Sequence, residues 1–192
     1  MSNILLENYI IEVLKENKEF IKRINVFDFD MTLFKSIEAP QKWDTKKSGF
    51  WYNSEESLNR AYYSDNLDNL WIEKVVNEVK KSMIDKSCLT VLCTARSETP
   101  EIMYVTNELL RLKSLDFDYN CLYYKPLGYP GSTSQYKVEV IQSLLNAYSF
   151  CKEVHFWEDR KENLTAVQNL IKNNNSVNRQ RQISFTPHLV RV

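Results

Sequence analysis

Glycine is scarce in this sequence and histidine scarcer. The three glycines are Gly49, Gly128 and Gly131. They cannot form GxGxxG or GxxxxGK(S/T), so the usual glycine cradles for dinucleotides and nucleotide phosphates are absent. The two histidines, His155 and His188, leave no HExxH pair for zinc. They also supply a histidine-relayed serine or cysteine nucleophile poorly. Four cysteines occur without a CxxC pair. Three lie in or beside apolar runs, where cysteine serves as a small buried hydrophobe; a metal or disulfide set is the alternative. A long apolar run at the start is missing too. Glu7 and Glu12 interrupt the first residues, which read as neither a signal peptide nor a spanning helix. An intracellular, cytoplasmic location without a membrane partner is the expectation. Finally, charge of either sign is not in excess: 25 basic residues balance 25 acidic ones. That argues against a generally basic nucleic-acid coat. Chemistry here must run on carboxylates, hydroxyls and cationic side chains.

What is present is an ordinary globular mix, 43% apolar and 26% charged. Residues 1–192 are expected to form a single domain with a small insert. Leu6, Ile10, Val13, Leu14, Phe20 and Ile21 recur at helical spacing and predict a helix over 3–22. A β-rich run follows over 24–29. Residues 35–66 are polar and read as an irregular insert. Helix returns over 67–82, then a strand over 89–94. Thr99-Pro100-Glu101 opens a further helix. A third strand is expected over 117–124, and a helix after Ser132-Thr133-Ser134. A fourth strand is expected over 153–157, then a helix stopped near Asn173-Asn174-Asn175, and a fifth strand over 183–190. Strand and helix alternate throughout, which predicts a three-layer α/β domain with a mainly parallel sheet. The core spans 24–172, and 173–192 is a basic terminal segment.

Ligands of such sheets bind beyond the carboxyl ends of the strands. Asp28, Asp30 and Thr32 follow the first strand, Thr94 and Arg96 the second. Lys137 opens the helix beyond the third, and Glu158, Asp159 and Arg160 follow the fourth. Each group alone has an ordinary explanation as a solvated acid, a helix cap or a surface cation. Together they gather carboxylates on one rim, which is costly unless a cation neutralises them. A hard divalent ion with oxygen ligands, Mg²⁺, is the economical answer. Asp28 and Asp30, two apart in extended chain, project to one side.

Asp28-Phe29-Asp30-Met31-Thr32 resembles the DxDx(T/V) motif of the haloacid dehalogenase-like (HAD) superfamily of phosphohydrolases. Thr94, Lys137 and Glu158-Asp159 are similar to its second, third and fourth motifs, in order. Thr94-Ala95-Arg96, Leu115-Asp116-Phe117-Asp118, Lys125-Pro126, Tyr136-Lys137 and Trp157-Glu158-Asp159-Arg160 are similar to the HAD domain of the Swiss Army Knife RNA repair proteins. The Glu-Asp-Arg ending also resembles the phosphatase half of polynucleotide kinase-phosphatases. The resemblance implies a Rossmann-like HAD fold with a cap-like insert after strand one. It implies a Mg²⁺-dependent phosphatase working through an aspartyl-phosphate. Asp28 would be the nucleophile, Asp30 the general acid and base, and Thr94 and Lys137 the phosphoryl ligands. Mg²⁺ would sit on Asp28, the Asp30 carbonyl and one or both of Glu158 and Asp159. Met31 departs from the pattern, standing where many members have glycine.

Substrate recognition is left to Arg96 and Arg160, with a salt bridge or helix-end contact as the plain alternative for each. In the insert, Lys42, Trp43, Lys46, Lys47, Trp51 and Tyr52 mix positive charge with aromatic rings, a pairing that binds phosphates and stacks bases. Its alternative is a loop covering the core edge. After Glu162 no acidic residue follows, while Lys172, Arg179, Arg181 and Arg191 do. They form either a backbone-binding strip or a polar connector to an edge strand. Three functions compete: a phosphatase of nucleic-acid (RNA) ends, a phosphatase of small metabolites or nucleotides, and a non-catalytic HAD-like binding module.

Overall fold

The computed structural model describes residues 20–48 and 50–192, without the side chains of residues 47 and 48. The helix expected over 3–22 lies outside the described residues but for its last three. Five strands form one parallel sheet: β1 (Arg23–Phe27), β2 (Cys88–Ser97), β3 (Leu122–Lys125), β4 (Glu153–Glu158) and β5 (Ser184–Leu189). Their order is β3-β2-β1-β4-β5. The chain leaves β1 for β2 and β3 on one side, then crosses to β4 and β5 on the other. The reversal opens a crevice between the carboxyl ends of β1 and β4, where ligands of such sheets bind.

Helices cover both faces. They are α1 (Thr45–Ser48), α2 (Glu55–Tyr62), α3 (Glu73–Ile84), α4 (Pro100–Leu112), α5 (Thr133–Ala147) and α6 (Lys161–Val177). Alternate residues of β1 feed two cores. Phe27 joins Val75, Val76 and Val79 of α3 and Ile102 and Leu109 of α4. Ile24 and Val26 join Ile141 and Leu145 of α5 and Val167 and Ile171 of α6. Apolar residues on both faces are what a doubly covered parallel strand requires. β5, at the edge, carries Pro187, tolerated there because an edge strand can leave an N–H unpaired. This is the expected three-layer α/β, Rossmann-like architecture.

Several boundaries differ from the sequence reading. The insert is not irregular: α1, a 3-10 turn over Trp51–Asn53 and α2 occupy it. Glu55 and Glu56 start α2 and Arg60 ends it, matching the helix dipole. Leu58 and Ala61 dock on the core. The third strand begins only at Leu122. Before it the Asp118 carboxylate accepts the Asn120 N–H at 2.8 Å and winds the chain into a 3-10 turn. A short 3-10 turn, Leu67–Leu70, precedes α3. The Asn173–Asn175 run does not stop α6. Asn175 instead exchanges two 2.8 Å hydrogen bonds with the backbone of Ile183 and fastens the chain entering β5.

The four cysteines are free and buried, as core hydrophobes. Burial pushes the Cys93 thiol up to about 12 and that of Cys121 up to about 11. Among the described residues no helix is long and apolar enough to cross a membrane.

Candidate active site

The chain turns sharply as it leaves β1. The Phe29 carbonyl accepts from the N–H groups of Leu33 at 3.0 Å and Phe34 at 2.9 Å. Met31 takes φ 57°, the left-handed conformation that glycine adopts freely. This holds Asp28 and Asp30 over the crevice, with Phe29 wholly buried between them.

Asp28 is 4% exposed. Its Oδ1 accepts from Lys137 Nζ at 2.6 Å, and the same ammonium donates to Glu158 Oε2 at 2.6 Å. Lys137 comes from the second turn of α5 and is 1% exposed. A capping box starts that helix, Ser132 accepting from the Gln135 N–H and Gln135 from the Ser132 N–H. Glu158 ends β4. Its Oε1 accepts from the N–H groups of Asp159 and Arg160, each at 3.1 Å.

The electrostatics follow from two buried acids, Asp28 and Glu158, and the half-buried Asp159 around one ammonium. Burial, then Glu158, hold the Asp28 carboxyl well above its ordinary range. Burial works against the charge on Lys137, but Asp28 and Glu158 reverse this and raise its pKa. Glu158 is also buried, yet Lys137 and the two N–H donors hold its pKa below the ordinary value. At Asp159 burial and Glu158 outweigh Lys137 and Arg160 and push the carboxyl up to about 7.

Asp28, Glu158 and Asp159 each offer a carboxylate oxygen, all within 4.8 Å of one another. The donors are all hard oxygens, and one ammonium does not balance their charge. The set therefore fits a hard divalent ion such as Mg²⁺.

Asp30 stands on the other side of Asp28. Arg96 donates to its Oδ1 from Nε at 3.1 Å and from Nη2 at 2.7 Å. The Ser36 hydroxyl donates to the same oxygen. β2 runs on to Ser97, so Thr94 and Arg96 lie within the strand rather than beyond it. Thr94 is fully buried, its hydroxyl accepting from the Arg96 N–H at 3.2 Å.

These groups line a cavity of about 190 Å³. Asp28, Asp30, Arg96, Lys137, Glu158, Asp159 and Arg160 all reach it; Thr94, Lys42 and Trp43 do not. Lys42 is exposed. Trp43 packs edge-on against Trp51 at 4.7 Å, and Trp51 is buried with its indole N–H on the Ile37 carbonyl at 2.7 Å. Those two tryptophans therefore follow the core-edge alternative. The insert reaches the cavity through Phe50, Tyr52 and Asn53 instead.

Sequence reasoning missed Asn163 and Lys125, which also line it. Asn163 is 2% exposed; its Oδ1 accepts from Ser134 at 2.6 Å and its Nδ2 has no partner among the described residues. Its place one helical turn beyond Asp159 was a legible signal. Ser36 had none, for its role depends on the turn after Phe29.

A parallel sheet with an acid pair at the end of its central strand, a buried lysine from one crossover helix and an acid pair at the next strand end defines a domain of the HAD class. Residues 29–192 match the family model described as HAD domain family 1 in Swiss Army Knife RNA repair proteins. The chain belongs to that family. An uncharacterized protein of Saccharomyces cerevisiae is 21% identical over 168 residues, 77% of this chain and 36% of that protein. The chain thus spans about a third of the length of this curated relative. Among solved structures, the HAD domain of the effector protein Lem4 from Legionella pneumophila is similar in fold. It has a TM-score of 0.53 and 13% identity, over 88% of each chain.

Proposed function

We propose that this domain is a phosphomonoester hydrolase of the HAD type, acting through an aspartyl-phosphate on Asp28. The observation that carries this reading is the buried Asp28–Lys137–Glu158 chain, with 2.6 Å at each link. The Asp28 carboxylate attacks phosphorus, and the bond to the leaving oxygen breaks. Asp30 gives that oxygen its proton and so releases an alcohol. Water then attacks the phosphorus of the aspartyl-phosphate, and Asp30 takes its proton. The bond to Asp28 breaks, and inorganic phosphate and the free carboxylate return. Lys137 lies against the nucleophile and offsets charge on the phosphoryl oxygens.

Both Glu158 oxygens already accept hydrogen bonds. This favours Asp159, with Asp28 and the Asp30 carbonyl, as the holder of Mg²⁺, and Glu158 as the anchor of Lys137. When bound, the ion lowers the repulsion between nucleophile and anionic phosphate.

Nucleic-acid ends, RNA ends among them, are the substrate class the family description favours. Two further observations agree. Lys125 and Arg160 line the cavity and form no salt bridge among the described residues, and Phe50 offers a ring 57% exposed. The second reading, a small phosphorylated metabolite, draws on the size of the cavity, about 190 Å³. The test is phosphate release from 3′- and 5′-phosphorylated oligonucleotides beside a panel of metabolites, with Asp28→Asn as the blank. Release should require Mg²⁺, stop in EDTA and vanish in the variant. Activity retained by Asp28→Asn would remove the nucleophile assignment. Preference for metabolites would remove the nucleic-acid reading.

A further inference from the structure

Arg96 is among the largest side chains wholly enclosed in the protein, 1% exposed. A buried guanidinium is costly unless its N–H groups find acceptors. Nε and Nη2 both donate to Asp30 Oδ1. Nη1 donates to the Tyr52 carbonyl at 2.7 Å and to the Ser57 hydroxyl at 2.8 Å. The rings of Phe29 and Tyr52 lie 5.7 and 5.9 Å from its centre. Four of its five N–H groups are thus satisfied inside the protein.

The pairing with Asp30 is lopsided. A guanidinium commonly meets a carboxylate fork to fork, one N–H on each oxygen. Here two N–H groups and the Ser36 hydroxyl all converge on Oδ1. Among the described residues Oδ2 has no hydrogen-bond partner, and its side chain lines the cavity. The other end of the guanidinium holds the roof: Tyr52, which lines the cavity, and Ser57 in the first turn of α2. Arg96 is aimed there by an irregularity in β2, whose register with β3 shifts between Thr94 and Ser97.

We infer that Arg96 is a positioning residue: it pins Asp30 by Oδ1, presents Oδ2 to the leaving group, and locks the insert over the same cavity. The inference rests on the reading of Asp30 as general acid and base. Lysine could keep the charge, but a single ammonium cannot reproduce the planar fork that meets Asp30 and the roof together.

The test is kcat and KM on a series of phosphomonoesters, from a nitrophenyl ester to a simple alkyl ester. A poor leaving group needs its proton more than a good one, so a misplaced acid penalises the alkyl ester. Asp30→Asn calibrates the reading, its losses growing as the leaving group worsens. Arg96→Lys should copy that pattern, with kcat down about tenfold or more on the alkyl ester and less than about threefold on the nitrophenyl ester. Ser36→Ala removes the third donor to Oδ1 and should show the same slope at smaller size. Ser57→Ala, which loosens only the roof, should raise KM alike for all esters. If Asp30→Asn is steep while Ser36→Ala and a folded Arg96→Lys lose equally on all esters, the positioning role is overturned and the Asp30 reading stands. If Asp30→Asn itself loses equally on all esters, both fall.

Discussion

Two described residues other than glycine hold left-handed backbone, Met31 at φ 57° and Ser114 at φ 56°. Their settings differ. Met31 lies in the turn that presents Asp28 and Asp30, where strain is kept by the function it serves. Ser114 is exposed and far from that chemistry, closing α4. Its N–H donates to the Arg111 carbonyl at 2.9 Å, and the Leu115 N–H donates to Leu110 at 3.0 Å. This is the helix ending that glycine suits best. Ser114→Gly should therefore stabilise the protein by about 0.5 to 1 kcal/mol, the relief of the left-handed strain less the added freedom of the unfolded chain. A urea midpoint that stays or falls would show that the serine conformation is unstrained.

Among the elements, α5 matters most, because it carries Lys137. Its end is held from outside. Arg181 donates to the carbonyls of Leu145 at 2.8 Å, Tyr148 at 2.7 Å and Cys151 at 3.2 Å. A cation there also meets the negative end of the helix dipole. So this member of the basic terminal segment is structural. Arg181→Ala should lower stability by about 1.5 to 3 kcal/mol, as loss of charge-assisted hydrogen bonds does. Arg181→Lys should recover only part, since it lacks the fork. Phosphate release per folded molecule should stay near wild type in both. Denaturation curves that overlay wild type would return Arg181 to the list of free cations.

Across the whole molecule, pH acts through the β4–β5 pairing. His188 stacks on Trp157 at 4.0 Å and lies 3.2 Å from His155, ring nitrogen to ring nitrogen. Burial lowers both pKa values from 6.5; Arg23 adds to this at His155, and His155 adds to it at His188. Glu153 and Glu78 oppose it. The folded state thus favours neutral rings, and the unfolded chain takes up protons first as pH falls. The stability these rings contribute is complete above pH 6.5 and is lost as pH drops below it toward the folded values. Asp159, pushed up to about 7, acts with the opposite sign in the same window. The readout is therefore the difference in Tm between wild type and a His155→Gln/His188→Gln double variant. Wild type should lose ground to the variant as pH is lowered through that window. A constant difference would mean the rings are protonated alike in both states.

Local pattern determined much of this protein. The alternation of apolar runs marked the strands, because a doubly covered parallel strand must be apolar throughout. The strand ends marked Asp28, Asp30, Lys137, Glu158 and Asp159, because that rim is where the fold tolerates polar groups. Helix starts were legible at Thr99-Pro100 and Ser132, where the cap is written in adjacent residues. The tertiary structure decided the pairings. Lys137 meets Asp28 across 109 positions, and Arg96 meets Asp30 across 66. The first depends on the helix that crosses from β3 to β4 and the second on the shifted register of β2, neither of which a local pattern encodes. It also decided which rings of the insert face the cavity. Phe50 and Tyr52 do, while Trp43 and Trp51 turn to the core edge, because helix α2 docks Leu58 and Ala61 and sets the direction of the turn before it.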